Sequence, residues 1–194
     1  ADSRVVLEDA VAVLDAFHVV TFASAVVDHV RRRVQQGTTG HRGRRDDPLY
    51  RIRNILRAGA EKLTDRQWAR LSTALDARPE HEEVGLACGV AQKLRLAYRH
   101  PKPAEGRKVA EQLITSLPSC PVPELARLGR TLRRWRDALL AHFDTDRSSN
   151  GGTEAMNGLI ELHRRIARGF RNLTLIFHEL PAMSRRDVVA LAER

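Results

Sequence analysis

Apolar residues recur every three or four positions along most of this sequence, and no other feature constrains the fold as strongly. Such spacing places apolar side chains on one face of a helix. The clearest stripes run over Val19–Val34, Val84–Tyr98 and Leu125–Leu139. Aromatic residues make up only 5% of the chain, so Leu, Val, Ala and Ile have to fill most of the core. We therefore predict a mainly α-helical protein.

Proline and capping residues divide this pattern into about six helices. Pro48 suits the first turn of one helix, and Thr64 followed by Gln67 has the spacing of a capping box. Pro79 and the segment Pro118–Pro123 mark two further breaks. A content of 42% hydrophobic and 29% charged residues is ordinary for a chain with a buried core. It excludes a disordered tail, a collagen-like chain and a disulfide scaffold.

A single β-strand is predicted, close to the start of the sequence. The run Val11–Leu14 is continuously apolar and ends in Asp15. This is typical of a buried strand that carries an acid at its C-terminal end. From Val19 onward the apolar spacing becomes helical, so that His18 lies in the connection between strand and helix.

The charge balance favours a nucleic acid as the partner. The chain has 33 Lys and Arg against 24 Asp and Glu, a net charge of +9, and most of the cations are Arg. Guanidinium groups make flat, bidentate contacts with phosphate. The clustered arginines that best suit such contacts are Arg31, Arg32, Arg44, Arg45, Arg130 and Arg134. The alternative is that each cluster is only a solvated helix face.

The two tryptophans, Trp68 and Trp135, each fall within an apolar stripe. We therefore predict that both rings anchor the core. The alternative interpretation is that an indole ring stacks on an unpaired base of a nucleic acid.

The helix predicted from about Thr153 to Phe170 carries the most informative polar pattern. Glu154 and Asn157 lie in its first turns, and three arginines follow on the same side: Arg164, Arg168 and Arg171. A carboxylate at a helix start can bind a hard cation, and guanidinium groups further along can hold a phosphate backbone. The alternative is the ordinary preference of acids for helix N-termini and of bases for C-termini.

Three segments resemble the ISL-three family of DDE transposases of bacterial insertion sequences, and they occur in the family's order. The segments are AVAVLDAFHVV (residues 10–20, with the Asp-x-Phe-His motif), DDPLYRIRNILRAGAEKLTDRQWARL (46–71) and SSNGGTEAMNGLIELHRRIARGFRN (148–172). The resemblance covers roughly residues 10–173. It implies an RNase H-like core in which three acids hold two divalent cations, Mg²⁺ or Mn²⁺, for DNA cleavage and strand transfer.

Matching the motifs residue by residue makes Asp15 the second acid of the family and Glu154 the third. His18 would then contact the scissile phosphate or the metal surroundings, with a histidine packed in the core as the alternative. The implied domains are a partial core strand (1–18), an all-helical insertion (19–147), a core helix with the third acid (148–173) and a divergent tail (174–194).

The family's first acid lies on a strand that precedes the segment present here. We therefore expect a shortened copy of an enzyme that acts on double-stranded DNA at transposon ends and, when intact, forms a homo-oligomer. One alternative is a non-catalytic helical remnant that binds or regulates DNA transactions. Another is a basic helical scaffold with no role in nucleic-acid binding.

A cytoplasmic location is expected from the remaining sequence features. No apolar run approaches the roughly 20 residues of a membrane span, and no signal-peptide pattern is present. Cys88 and Cys120 are far apart and lack a CxxC motif. Free thiols in a reducing compartment are the prediction, with a single disulfide as the alternative.

Overall fold

The computed structural model describes residues 12–145, which all belong to the first of two units, Ala1–Arg147 and Ser148–Arg194. The described residues form seven α-helices, which confirms the mainly helical prediction. The helices are α1 (Ala16–Thr39), α2 (Pro48–Arg51), α3 (Asp65–Leu75), α4 (Glu82–Arg99), α5 (Pro103–Ser116), α6 (Pro123–Arg134) and α7 (Arg136–Asp144). Short 3-10 turns lie at Ala60–Lys62, Pro79–His81 and Leu117–Ser119.

Helix α1 is the longest helix of the described part, and the local sequence accounts for its C-terminal end. Asp15 precedes it with an extended backbone, and its carbonyl accepts the N–H of Val19 at 3.3 Å. At the other end Gly40 has a φ of 73°, a left-handed conformation that glycine adopts without a steric penalty. The helix begins at Ala16, three residues earlier than predicted, and so includes His18.

The start of α3 confirms the predicted capping box. The backbone N–H of Gln67 donates to the Thr64 hydroxyl at 3.3 Å, and the Gln67 side chain accepts the Thr64 N–H at 2.9 Å. These reciprocal bonds satisfy two backbone groups that a helix end would otherwise leave without partners. The cap is a property of four consecutive residues and needs no tertiary contact.

The helix predicted to run on from Pro48 is shorter than its apolar spacing indicates. Helix α2 ends at Arg51 and is followed by turns as far as Ala58. The Ala58 carbonyl accepts bonds from the side chains of Gln92 (2.8 Å) and Arg95 (3.0 Å) on α4. Because side chains from another helix take up this carbonyl, the turn is stable without continuing as a helix.

One hydrophobic core joins all the longer helices. Helix α1 packs on α4, and α5 packs against α4, α6 and α7. The apolar stripes predicted from the sequence supply the most deeply buried side chains. These are Val27, Val30, Leu49, Val84, Leu94, Leu125, Leu128 and Leu139, each 1% exposed or less. Burial of these stripes against one another is the main stabilising term of such a bundle.

The strand predicted to precede Asp15 is not formed in its described part. Residues 12–14 are irregular, and the N–H of Leu14 donates to the carbonyl of Ala138 in α7 at 2.8 Å. A strand requires a neighbouring strand to satisfy its backbone groups. Between residues 12 and 145 no strand is present, so this segment is fixed by a helix instead.

The prediction that both tryptophans anchor the core is wrong. Trp68 is 46% exposed and Trp135 is 50% exposed. Trp135 lies between α6 and α7, where its φ of −102° and ψ of 20° interrupt the helix that the apolar stripe predicted. The interruption turns the indole ring out of the stripe, whereas the leucines before and after it remain buried.

Neither cysteine forms a disulfide, as predicted: Cys88 is buried, Cys120 is partly buried, and both are free thiols. Burial raises the pKa of the Cys88 thiol above its usual range. Every helix within the described range is too short or too polar to cross a lipid bilayer.

Candidate functional site

The carboxylate of Asp15 lies at the N-terminus of α1, where two contacts fix it. The preceding residue, Leu14, is bonded to α7, and Nδ1 of His18 lies 3.2 Å from Asp15 Oδ2. The Asp15 side chain is 11% exposed, whereas that of His18 is 61% exposed. The helix thus positions the two predicted site residues together, with the acid partly enclosed and the imidazole open to solvent.

Aromatic side chains from α4 and α7 pack together in the core, and the charge of Asp15 acts on one of them, Tyr98. Tyr98 is buried, its ring stacks on Phe143 with centroids 5.3 Å apart, and His142 contacts it edge-on at 4.9 Å. Burial raises the pKa of the Tyr98 phenol, and the negative charge of Asp15 raises it further. Its hydroxyl has no hydrogen-bond partner among the described residues. The phenol therefore stays neutral beside the carboxylate.

A groove of about 270 Å³ opens next to Asp15 between α1 and α6. Trp135 and Phe22, both partly exposed, form its aromatic walls, and His18 is also in its lining. The other lining residues are Leu14, Val19, Thr131 and Leu132. The groove is thus mainly apolar and adjoins the one predicted catalytic acid that the structure describes.

Asp15 is the predicted metal ligand that lies within the described residues. Within residues 12–145, no group of three or more His, Cys, Asp or Glu side chains is placed to hold a metal ion. A carboxylate oxygen is a suitable ligand for Mg²⁺ or Mn²⁺, and Asp15 supplies one such group. Glu154 and Asn157 lie outside the described residues. The described donor set therefore fits one part of a hard-cation site.

The arginine run at 31–33 is largely engaged within the fold. Arg31 is 4% exposed and donates to Asp28, at 3.0 and 2.6 Å, and to Gln35. Arg32 contacts the second oxygen of Asp28 at 2.6 Å. Partial burial opposes ionisation of Asp28, but the hydrogen bond and charge of Arg31 outweigh it and lower the pKa. Arg31 and Arg32, which were predicted to contact DNA, are therefore both paired with the carboxylate of Asp28.

Four other predicted arginines are exposed, and none of them forms an ion pair with any residue in the range 12–145: Arg44, Arg45, Arg130 and Arg134. The first two lie in the loop after α1, and the last two lie on α6. The three arginines predicted after Glu154, namely Arg164, Arg168 and Arg171, lie outside the described residues.

A second basic surface, on α2 and α3, was missed by the sequence analysis, although Arg66 and Arg70 are spaced one helical turn apart.

Comparison with known proteins identifies the family. The chain matches a transposase family model over residues 3–178. It is also 29% identical over 187 aligned residues to the transposase for insertion sequence element IS1557 of Mycobacterium tuberculosis, in strain H37Rv and in strain CDC 1551. That alignment covers 84% of this chain and 40% of the length of each relative. No solved structure matches the sequence. Because the family model spans most of the chain, this protein belongs to the ISL-three family of DDE transposases.

Proposed function

We propose that this chain carries the second and third acids of a DDE transposase, an enzyme that cleaves DNA and transfers the cut strand. The observation that carries the proposal is the single family match over residues 3–178, which includes both Asp15 and Glu154. The geometry at Asp15 supports it, since the carboxylate is held at a helix start beside an open groove.

Asp15 and Glu154 would hold the divalent cations, Mg²⁺ or Mn²⁺, through their carboxylate oxygens. When bound, such a metal pair makes water or a DNA 3′-hydroxyl nucleophilic and stabilises the leaving oxygen of the phosphodiester. His18 contributes by orienting the Asp15 carboxylate through the contact at Oδ2. The RNase H-like core remains part of this proposal, with residues 19–147 as its insertion, 148–173 as the core helix and 174–194 as a divergent tail.

Double-stranded DNA at transposon ends is the proposed substrate. The exposed guanidinium groups of the loop after α1 and of α6 suit phosphate contacts, because no carboxylate of the described part competes for them. Asn157 and the three arginines on the predicted Glu154 helix extend the proposed contact to the third acid. Arg31 instead stabilises α1, and Arg32 balances the charge of Asp28.

The groove beside Asp15 is proposed to take up an unpaired base close to the cut. Trp135 and Phe22 are partly exposed and line this groove, and aromatic rings stack on bases of any sequence. Trp68 is similarly exposed but does not line this groove. The stacking role is therefore proposed for Trp135 and not for Trp68, although the sequence suggested the same role for both.

The activity of a whole enzyme is a proposal here, because the chain spans 40% of the length of the relatives that it matches. Assembly into a homo-oligomer and action in the cytoplasm, where the DNA substrate lies, belong to the same proposal. Binding of DNA without cleavage is the competing function, and the experiment below separates the two.

Titration of the 194-residue chain with Mn²⁺, followed by NMR, tests the metal assignment. We expect the paramagnetic ion to broaden the His18 ring resonances and Asp15→Asn to abolish the broadening. Asp65→Asn is the matched control, since Asp65 also lies at a helix start but is far more exposed. Broadening that survives Asp15→Asn contradicts the assignment. Binding of transposon-end duplexes with no Mn²⁺ effect at His18 supports the non-catalytic function instead.

A further inference from the structure

A second concave surface lies between α2 and α3, with a volume of about 410 Å³. Three exposed arginines line it, Arg51 from α2 and Arg66 and Arg70 from α3. Its remaining lining is mostly apolar or small: Pro48, Ile52, Ala69, Thr73, Ala74 and Ala77, with Asp46 as an acidic residue. The positive charge of this cleft therefore exceeds its negative charge.

The helical spacing of α3 and one bond between α3 and α2 bring the three arginines to the same cleft. Arg66 and Arg70 are four residues apart and lie on the same side of α3. Nη2 of Arg70 donates to the backbone carbonyl of Arg51 at 3.2 Å, which ties α3 to α2. Because like charges at this spacing repel, the arrangement is more favourable when an anion occupies the cleft.

Like the exposed arginines of the loop after α1 and of α6, these three arginines have no acidic partner among the described residues. Arg33 is paired with Glu124 and Glu83, Arg99 with Glu61, and Arg107 with Asp144. No ion pair within residues 12–145 involves Arg51, Arg66 or Arg70. Their donors, apart from the bond to the Arg51 carbonyl, remain available to a ligand.

We propose that this cleft binds the sugar–phosphate backbone of DNA, at a site separate from the Asp15 groove; the proposal rests on the function proposed above. Guanidinium forks match the oxygens of a phosphate, and the small apolar residues between them suit a deoxyribose ring. The cleft and the Asp15 groove share no lining residue among those described. The site therefore contacts DNA through residues that do not belong to the proposed cutting position.

An extended polyanion suits this surface better than a free phosphate ion. Asp46 directly follows the exposed loop arginines Arg44 and Arg45, which have no ion pair within the described range and lead into the cleft. A DNA backbone can contact the loop and the cleft at once, whereas a single phosphate reaches the cleft alone. Asp46 also weakens the attraction for a small anion, which has no second contact to compensate for this repulsion.

The test uses the complete 194-residue chain and a fluorescent 30-base-pair duplex of arbitrary sequence. Binding is measured by anisotropy at several salt concentrations for wild type and for Arg51→Gln/Arg66→Gln/Arg70→Gln. The control, Lys62→Gln/Arg78→Gln/Lys93→Gln, also removes three positive charges, but from exposed positions outside the cleft. We expect the cleft variant to lose at least about tenfold in affinity and its salt slope to fall by roughly 1 to 3, with a much smaller change in the control.

Equal losses in the cleft variant and the control overturn the proposed site while leaving DNA binding itself intact. A wild-type chain that binds no duplex contradicts the proposed function and this site together. Thermal shift with inorganic phosphate is the second arm: cleft-dependent stabilisation by phosphate, without cleft-dependent DNA binding, overturns the DNA assignment in favour of a small anion. If the triple variant does not fold, Arg66→Glu replaces it, because the Arg66 side chain forms no hydrogen bond within the described residues.

Discussion

Arg33 and Glu124 join α1 to α6 through a two-point ion pair across 91 residues of sequence. Nε of Arg33 lies 2.6 Å from Oε1 of Glu124, and Nη2 lies 3.2 Å from Oε2. The same guanidinium also donates to Glu83, at the start of α4. One side chain thus connects the three helices α1, α4 and α6, and such a planar, bidentate geometry is one that lysine cannot reproduce.

Replacing Glu124 by Gln should lower the free energy of unfolding by about 1 kcal/mol at neutral pH, because Arg33 is too solvent-exposed for a larger effect. Partial burial of Glu124 opposes its ionisation, but the hydrogen bond from Arg33 outweighs it and keeps the pKa below its ordinary value of 4.5. The difference between wild type and variant should therefore be complete above about pH 4.5 and disappear as the pH falls through the folded-state pKa. Urea unfolding between pH 3 and 7 measures this. A difference independent of pH would contradict it.

Neighbouring arginines on α1 should differ sharply in their importance for stability. Arg31→Met removes a buried guanidinium and leaves Gln35 without its partner, so we expect a loss of about 2 to 3 kcal/mol. Arg32→Met is the control, since its side chain is half exposed and should cost less than about 1 kcal/mol. An equal loss of unfolding free energy in the two variants, measured by denaturant unfolding, would mean that the burial of Arg31 contributes nothing to stability.

Two helical glycines provide a test of how closely α5 approaches α4. A Cβ at Gly106 would clash with the carbonyl oxygen of Ala97 and lie 3.0 Å from the ring of Phe143. We expect Gly106→Ala to lower the unfolding free energy by about 1 to 3 kcal/mol. A Cβ at Gly89 meets no atom within 4 Å, so Gly89→Ala should raise it by up to about 1 kcal/mol. Thermal denaturation of the two variants gives the comparison, and stabilisation by Gly106→Ala would contradict the packing.

The two exposed tryptophans allow a direct test of the groove beside Asp15. Trp135→Ala should weaken binding of a duplex with an unpaired base by about 1 to 3 kcal/mol, while Trp68→Ala should have little effect. Both rings are about half exposed, so neither change should unfold the chain. The fully paired duplex serves as the reference ligand. An equal effect of Trp135→Ala on both duplexes would argue against stacking of an unpaired base.

Local sequence predicted those parts of the fold that depend on neighbouring residues. The capping box at Thr64 and Gln67 formed as expected, and so did the helix break at Pro79. The stripe from Val84 to Tyr98 became the buried face of α4. Periodicity and capping are short-range properties, which is why the sequence suffices to assign them.

At the candidate site, local sequence patterns did not predict the structure that formed. An apolar run ending in an acid indicated a strand before Asp15. In the structure residues 12–14 are irregular, and the backbone N–H of Leu14 donates to a carbonyl of α7. Arg31 and Arg32 are adjacent in sequence, yet only Arg31 is buried. Arg31 lies on the face of α1 that also carries Val27 and Val34, and this face packs into the core. Charge counts cannot separate an arginine that holds the fold together from one that faces a ligand.

The sequence by itself determined that this chain is helical, basic and similar in its motifs to DDE transposases. The tertiary structure decided which polar groups remain available for binding. The break at Trp135 exposes an indole that the stripe would have buried, and the bond from Arg70 to the Arg51 carbonyl forms a basic cleft from two helices. Both outcomes depend on contacts between distant segments, and the energies of such contacts are not encoded in the spacing of neighbouring residues.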